Sequence, residues 1–184
     1  MSIKTLSTRV VYSNRWMTVR EDEIERADGS HGIYSVVEKV RATMIIPVDG
    51  DHVYLIEQFR YPVKKRFCEF PGGSWEMKAE PDPMELARGE LQEETGLIAG
   101  KMEHVGRLYY AYGITDQPYD VFRATELSQG KTNPDAEEQD LVVKRVSIRK
   151  LEEMIASGVI QDAPSIAAWA LHQMKWGGQT PHRP

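Results

Sequence analysis

The sequence predicts a single α/β domain with a mixed sheet between helices. Apolar segments bounded by turn residues indicate strands within residues 8–60 and near residues 104–112, 119–125 and 141–147. Three further segments place apolar residues at helical spacing behind a capping residue. The 184 residues, 41% of them hydrophobic, suffice for one domain with a buried core.

The N-terminal strands are more polar than the others. The stretch from Trp16 to Arg26 is mostly polar, which is typical of an edge hairpin, and Ala27-Asp-Gly-Ser supplies its turn. Such strands do not form a core by themselves. We therefore expect residues 1–41 to be an antiparallel β-strand region that packs against a second subunit. The main domain is then residues 42–176, followed by a flexible tail at residues 177–184.

Residues 43–48 and 53–56 are the clearest strands. Both are strongly apolar, and Asp49-Gly-Asp-His between them is a specific hairpin signal. We expect the two strands to pair as an antiparallel hairpin.

Three helices are marked by their capping residues. Asp82, Ser147 and Asp162 are suitable N-caps. The first two helices end at Gly96 and Gly158, and the third runs to about residue 176. The apolar stripes of the second and third helices are typical of core packing.

Charge and composition exclude several classes of partner. The net charge is −5, without the basic face of a nucleic-acid-binding protein, so we expect no nucleic acid partner. No apolar stretch approaches the ~20 residues of a membrane span, and the first residues lack a secretory signal, so we expect no membrane partner. Cys68 is the only cysteine, which excludes an intramolecular disulfide and favours the reducing cytoplasm. It has no adjacent histidine to activate it as a nucleophile.

The first helix carries three glutamates on one face. Glu90, Glu93 and Glu94 stand at i, i+3 and i+4, where like charges repel one another. Their position in the last turns of the helix also opposes the helix dipole. A bound cation would offset both the repulsion and the unfavourable interaction with the dipole. Oxygen ligands without His or Cys favour Mg²⁺ or Mn²⁺ as that cation. From the spacing alone, a solvated acidic helix face remains the alternative.

The loop before this helix favours the cation. Glycines at positions 72 and 73 allow the backbone to approach a ligand closely, and a carbonyl there can complete an oxygen-rich site. A loop with free backbone groups beside three carboxylates is a suitable platform for a metal-bridged diphosphate.

Residues 73–97 resemble the Nudix box, G-x5-E-x7-R-E-U-x-E-E-x-G-U, in which U is a bulky aliphatic residue. Glu90-Leu-Gln-Glu-Glu-Thr-Gly-Leu matches its second half, except at the preceding arginine. Other segments resemble the ADP-ribose and sugar-nucleotide branch of the Nudix hydrolases: Ser13-Asn-Arg-Trp, Glu57-Gln-Phe-Arg-Tyr-Pro, Glu69-Phe-Pro-Gly-Gly and Ser157-Gly-Val-Ile-Gln-Asp-Ala. The resemblance implies an α/β/α sandwich with a mixed central sheet, a metal-bound diphosphate and attack by water on phosphorus.

The box departs from the family pattern in two ways. Its spacers hold two extra residues if Glu80 is the first glutamate, and Gly89 replaces the arginine. In the family these two residues form a supporting ion pair. Arg88 points about 100° away around the helix, so we do not expect it to replace that arginine by reaching Glu80 or Glu76. Because the metal carboxylates are retained, we interpret the change as an altered loop on a working site.

The resemblance implies roles for the acidic residues. Glu90 and Glu94 are the principal metal ligands, Glu93 is a further ligand or a partner of the ligands, and the Gly72 carbonyl completes the coordination. The general base in this branch is a glutamate on a loop before the last strand, here Asp135-Ala-Glu-Glu-Gln-Asp-Leu. In that loop, Glu138 is the first candidate and Glu137 the second. A hydrated acidic loop is the alternative for either residue.

Three residues are candidates for binding the substrate. Arg60 lies in a Gln-Phe-Arg element that resembles a substrate-binding feature, and a guanidinium fits a phosphate with two parallel hydrogen bonds. The alternative for Arg60 is a surface salt bridge. Trp16 and Tyr112 are candidates for stacking on a base, and the alternative for both is a place in the core.

These features predict a Mg²⁺-dependent enzyme, active as a homodimer like related enzymes. It splits ADP-ribose or a related nucleoside diphosphate sugar into a nucleoside monophosphate and a sugar phosphate. Tyr112 stands where ADP-ribose hydrolases of this branch carry proline, which favours a wider nucleotide-sugar range. Two alternatives remain: a nucleotide-sugar sensor without turnover, and an RNA 5′-pyrophosphohydrolase. The net negative charge of the chain disfavours binding of RNA.

Overall fold

The computed structural model describes residues 3–75, 82–130 and 140–177. These residues form a mixed sheet between helices and a separate antiparallel sheet at the N-terminus, as the sequence predicts. None of the helices among the described residues combines the length and hydropathy that a membrane-crossing segment needs. The tail predicted at residues 177–184 lies outside the described residues from position 178 onward.

Nine strands and three α-helices are found in the described part of the chain. The strands are β1 Lys4–Ser13, β2 Thr18–Glu25, β3 His31–Glu38, β4 Ala42–Asp49, β5 His52–Arg60, β6 Lys65–Glu69, β7 Leu97–Tyr109, β8 Pro118–Gln129 and β9 Val142–Ser147. The helices are α1 Pro83–Thr95, α2 Ile148–Ala156 and α3 Ala163–Trp176. A short 3-10 turn, Tyr61–Val63, joins β5 to β6.

The N-terminal sheet is antiparallel and open to solvent on much of its surface. Its strands lie in the order β1-β2-β3, and all ten residues of β1 are exposed. The sheet is attached to the main domain through β3, where Val37 N donates to Ile114 O at 2.8 Å and Tyr34 Oη donates to Gly113 O at 2.9 Å. The polar pattern therefore marks a weakly buried region, as predicted.

The central sheet has the order β6-β5-β4-β8-β7, with β9 paired to β5. β4 and β8 are parallel, with Thr43 opposite Asp120, and the other pairs are antiparallel. The predicted hairpin of residues 43–56 is present as β4 and β5. Because β4 is central and apolar, it is buried from Ala42 to Val48.

Each face of the central sheet is covered by helices. α1 packs on one face, over a core that contains Ile45, Leu91 and Phe122. On the other face lies the larger core, to which α2 contributes Leu151 and α3 contributes Trp169. The fold is therefore a sandwich in which α1 and the pair α2 and α3 lie on opposite sides of the sheet.

The predicted helix ends are confirmed at their N-caps. The side chains of Asp82, Ser147 and Asp162 accept hydrogen bonds from Met84 N, Lys150 N and Ser165 N. The strands were predicted less completely. β6 was missed, because its first residues are polar and exposed. β7 begins directly after Gly96 rather than near residue 104, because Gly100 and Lys101 interrupt its apolar pattern.

Candidate active site

The loop formed by residues 71–73, which we call the glycine loop, runs beside β4 in the way that a neighbouring strand would. Ile45 N donates to Pro71 O at 2.8 Å, and Thr43 N donates to Gly73 O at 2.9 Å. A Cβ at Gly72 would lie 2.8 Å from Met44 Cα and would overlap the Thr43 carbonyl. Only glycine fits this close approach, which places the loop backbone directly against β4.

Two glutamates of α1 converge on this loop. Glu94 Oε2 accepts a hydrogen bond from Gly72 N at 2.8 Å. The carboxylate of Glu90 lies so close to Gly73 that a Cβ there would be 2.5 Å from Oε2. Both side chains are buried, with Glu90 6% and Glu94 2% exposed. Two carboxylates buried one helical turn apart are costly to ionise without a cation or hydrogen bonds.

These residues fit a hard divalent cation. They provide carboxylate oxygens beside a glycine loop, the donor type that Mg²⁺ prefers. Glu93 is only partly buried. Within residues 3–75, 82–130 and 140–177, no three His, Cys, Asp or Glu side chains converge as a metal-binding group. The contacts described for the glycine loop therefore involve Glu90 and Glu94.

The glycine that replaces the family's arginine has a structural cause. The indole of Trp75 lies against Gly89, and a Cβ at that position would overlap the ring. Arg88 points to the sheet instead, where its Nη1 donates to Ala99 O at 2.8 Å. Glu76 and Glu80, which the sequence suggested as its partners, lie outside the described residues. An aromatic side chain thus takes the place beside the helix that an arginine would need.

Arg60 is held in an ion pair with a buried glutamate. Its Nη2 lies 2.7 Å from Oε1 of Glu69, which also accepts a hydrogen bond from Gln58 Nε2 at 2.9 Å. Burial raises the pKa of Glu69, and the Arg60 guanidinium opposes that shift. The salt bridge that the sequence left open for Arg60 is therefore present. Its partner is buried rather than at the surface, and nearly half of the Arg60 side chain remains exposed.

Glu69 was not among the predicted site residues. The signal was available, since Glu69 directly precedes the glycine loop in the segment that carries the family resemblance. What the sequence does not show is that pairing of β5 with β6 brings its carboxylate to Gln58 and Arg60. Glu69 is thus the link between the loop and Arg60.

The two candidate stacking residues are both exposed, so the core alternative is wrong for each. Trp16 lines a cleft of about 490 Å³ between residues 14–18 and 38–41, and the Arg15 guanidinium lies 4.0 Å from the centre of its ring. Tyr112 is 86% exposed and lines a smaller cavity with Tyr34 and Tyr109. The structure therefore places Trp16 and Tyr112 in different cavities.

Glu137 and Glu138, the candidates for the general base, lie outside the described residues. Cys68 is buried, and burial raises the pKa of its thiol. This favours the protonated thiol, which is a poor nucleophile.

Comparison with known proteins places the chain in a family. Residues 38–169 match the NUDIX domain, and residues 3–37 match the nucleoside diphosphate sugar hydrolase N-terminal domain. The fold is similar to that of a crystal structure described as ADP compounds hydrolase, with a TM-score of 0.84 and 21% identity, covering 98% of this chain and 97% of that one.

Two relatives extend over most of the chain. An ADP-ribose pyrophosphatase of Bacillus subtilis (strain 168) is 27% identical over 94% of this chain and 93% of the relative. A methanol dehydrogenase activator of Bacillus methanolicus is 29% identical over 76% of this chain and 75% of the relative. With its glycine loop, its buried glutamate pair and its match to both domains, the chain belongs to the Nudix hydrolases, in the ADP-ribose and nucleoside diphosphate sugar branch.

Proposed function

We propose that this Nudix hydrolase uses Mg²⁺ to cleave the diphosphate of ADP-ribose or a related nucleoside diphosphate sugar. The products are a nucleoside monophosphate and a sugar phosphate. The observation that carries the proposal is the convergence of Glu90 and Glu94 on the backbone of Gly72 and Gly73. Both family matches and the Bacillus subtilis relative support the class of substrate.

The metal ligands in this proposal are Glu90, Glu94, Glu93 and the Gly72 carbonyl. The carbonyls of Pro71 and Gly73 already accept hydrogen bonds from β4, so they contribute less readily than that of Gly72. A divalent ion held by these residues would lower the pKa of a bound water molecule and would offset the negative charge on the leaving phosphate. Mn²⁺ has similar ligand preferences and is expected to substitute.

The other roles are assigned from the sequence. Glu138, or Glu137 in its place, takes a proton from the attacking water. Arg60 binds a substrate phosphate through the guanidinium edge that Glu69 leaves exposed, and its ion pair with Glu69 holds it in position. Trp16 stacks on the base from the larger cleft, and Tyr112 presents its exposed ring to the nucleotide or sugar. Tyr112 in place of proline favours acceptance of several nucleotide sugars.

We propose a homodimer that forms through the N-terminal region, residues 1–41. Leu6, Val10 and Val11 are exposed on β1, and Ile33 is exposed on β3. Apolar residues along an exposed edge strand are a common site of pairing between chains. Light scattering at micromolar concentration is expected to give twice the chain mass of 21.0 kDa, and a strictly monomeric mass would refute this part.

The experiment that tests the function is a substrate panel with product identification. ADP-ribose, several other nucleoside diphosphate sugars and 5′-triphosphorylated RNA are each incubated with Mg²⁺ and with EDTA. We expect metal-dependent release of a nucleoside monophosphate and a sugar phosphate from at least one nucleotide sugar. Turnover of the RNA alone would favour the RNA pyrophosphohydrolase. Tight binding of a nucleotide sugar without hydrolysis would favour the sensor.

A further inference from the structure

A buried aspartate on β8 gathers three basic side chains at the surface of the main domain. Asp120 is 1% exposed. It accepts hydrogen bonds at 3.1 Å from both Nε and Nη2 of Arg107, which lies opposite it on β7. Nε2 of His104 is 3.0 Å from Oδ1, and Nε of Arg41 is 3.8 Å from Oδ2. We call Arg41, His104, Arg107 and Asp120 the Asp120 cluster.

The Asp120 cluster carries surplus positive charge. One carboxylate offsets one of the two guanidinium groups, because arginine remains charged at all relevant pH values. The carboxylate is buried, whereas the side chains of Arg41, His104 and Arg107 are 33%, 50% and 44% exposed. The cluster therefore presents a net cation to solvent in a chain whose total charge is −5.

The Asp120 cluster lies on the same side of the sheet as the glutamate pair. Side chains alternate along a strand, so Asp120 shares a face with Phe122, which packs in the core beneath α1. Thr43 of β4 lies opposite Asp120 on one side, and its amide bonds to Gly73 on the other. The backbone of Asp120 is thus two strand spacings, about 10 Å, from the loop that Glu90 and Glu94 contact.

One member of the Asp120 cluster also lines the cleft that contains Trp16. This member is Arg41, and the cleft has a volume of about 490 Å³. The cluster therefore connects this cleft with the glutamate pair. A nucleotide sugar that lies across both would pass its phosphates beside the exposed guanidinium groups.

We propose that Arg41 and Arg107 form a subsite for a phosphate of the nucleotide sugar, and that Asp120 is the positioning residue that fixes them. This inference rests on the proposed function for the identity of the ligand. Arg107 uses one edge of its guanidinium on Asp120, which sets the plane of the group. Arg41, at the longer distance, keeps hydrogen-bond donors for an anion, and a guanidinium matches phosphate geometry.

A second ion pair on the same two strands is a matched control. Arg123 Nη1 donates to Glu103 Oε2 at 2.9 Å, and these residues are also directly opposite each other on β8 and β7. The side chain of Arg123 lies towards Trp176 of α3, on the other side of the sheet. Loss of this arginine removes the same charge without affecting the proposed subsite.

The direct test measures binding of inorganic pyrophosphate by calorimetry in EDTA, where no metal contributes. We expect Arg41→Ala and Arg107→Ala to weaken binding at least about tenfold, and Arg123→Ala to change it less than about twofold. Unchanged binding by both cluster variants would overturn the proposal. Because the assay needs no turnover, it separates failure of the subsite from failure of the proposed hydrolysis.

The Asp120→Asn variant tests whether Asp120 positions the two arginines, because a positioning role and a purely electrostatic role predict opposite changes in pyrophosphate affinity. The variant makes the Asp120 cluster more positive by one charge, so a purely electrostatic site would bind pyrophosphate more tightly. We expect weaker binding, because the guanidinium groups lose the carboxylate that fixes them. Tighter binding would refute the positioning role, and the melting temperature of each variant shows whether it is folded.

Binding of UDP-glucose and UDP-glucuronate in EDTA shows which anionic group of the ligand the subsite binds. The two ligands share the diphosphate and differ by a carboxylate on the sugar. We expect Arg41→Ala to weaken binding of both by the same factor. A loss confined to UDP-glucuronate would place the sugar carboxylate at the subsite and overturn the assignment to phosphate.

Discussion

The indole of Trp75 lies against Gly89 of α1 so closely that no Cβ fits between them. Family members carry an arginine at this helix position, and here the preceding segment is longer by two residues. The Trp75 ring lies on the helix, and the helix accommodates it with glycine.

We predict that Gly89→Ala is not stabilising, although alanine favours a helix over glycine by about 1 kcal/mol. The added methyl group overlaps the Trp75 ring, and overpacking of this kind costs about 1–3 kcal/mol. In the Trp75→Ala background, the same substitution is expected to stabilise the protein by up to about 1 kcal/mol. Urea unfolding of the four proteins in this cycle measures the coupling. Equal effects of Gly89→Ala in both backgrounds would show that Trp75 does not dictate the glycine.

The second prediction concerns Arg60 and Glu69. Arg60→Ala leaves the buried Glu69 carboxylate with Gln58 but without its cation, so we expect a loss of about 1–2 kcal/mol in stability, less than for a fully buried pair. If Arg60 also binds phosphate, KM for the nucleotide sugar rises about tenfold.

The double variant Arg60→Ala/Glu69→Gln separates these two roles. A neutral glutamine needs no cation, so stability is expected to return while KM stays high. Recovery of both stability and KM would reduce Arg60 to a structural partner of Glu69.

A third prediction concerns the pH dependence of stability. His172 is buried between Trp169 and Trp176, with ring centres 4.9 Å and 5.3 Å away. Neither ring nitrogen has a hydrogen-bond partner among the described residues. Burial, with a smaller effect of Arg123, lowers the pKa of His172 to about 4.

The folded protein therefore holds His172 neutral where the unfolded chain protonates it. This contribution to stability is fully present above pH ~6.5 and is lost as the pH falls towards 4. Compared with His172→Phe, the wild-type protein is expected to lose about 2 kcal/mol more between pH 7 and pH 4.5. Parallel stability profiles in urea unfolding would show that His172 does not titrate in this way.

Features with local signals were predictable from the sequence. Asp82, Ser147 and Asp162 cap their helices through hydrogen bonds to residues two or three positions ahead, so the helix starts could be read from neighbouring residues. Glu90 and Glu94 share a helix face by spacing alone, and the structure brings both to the predicted glycine loop.

Features that depend on distant pairing were not predictable. The Asp120 cluster needs Arg41 from just before β4, Arg107 from β7 and Asp120 from β8, and no short segment contains more than two of its members. β6 is recognised only through its pairing with β5, because its first residues are polar and exposed. The reason for Gly89 likewise appears only when the position of Trp75 is known.

Binding of Mn²⁺, followed by electron paramagnetic resonance, tests the central claim that Glu90 and Glu94 hold a divalent ion at the glycine loop. We expect the wild-type protein to bind Mn²⁺ and Glu94→Gln to bind it at least about tenfold more weakly, because a charged ligand is lost. Glu85→Gln, an exposed position in the first turn of α1, is the matched control and is expected to bind like the wild type. Equal Mn²⁺ affinity in all three proteins would contradict the account.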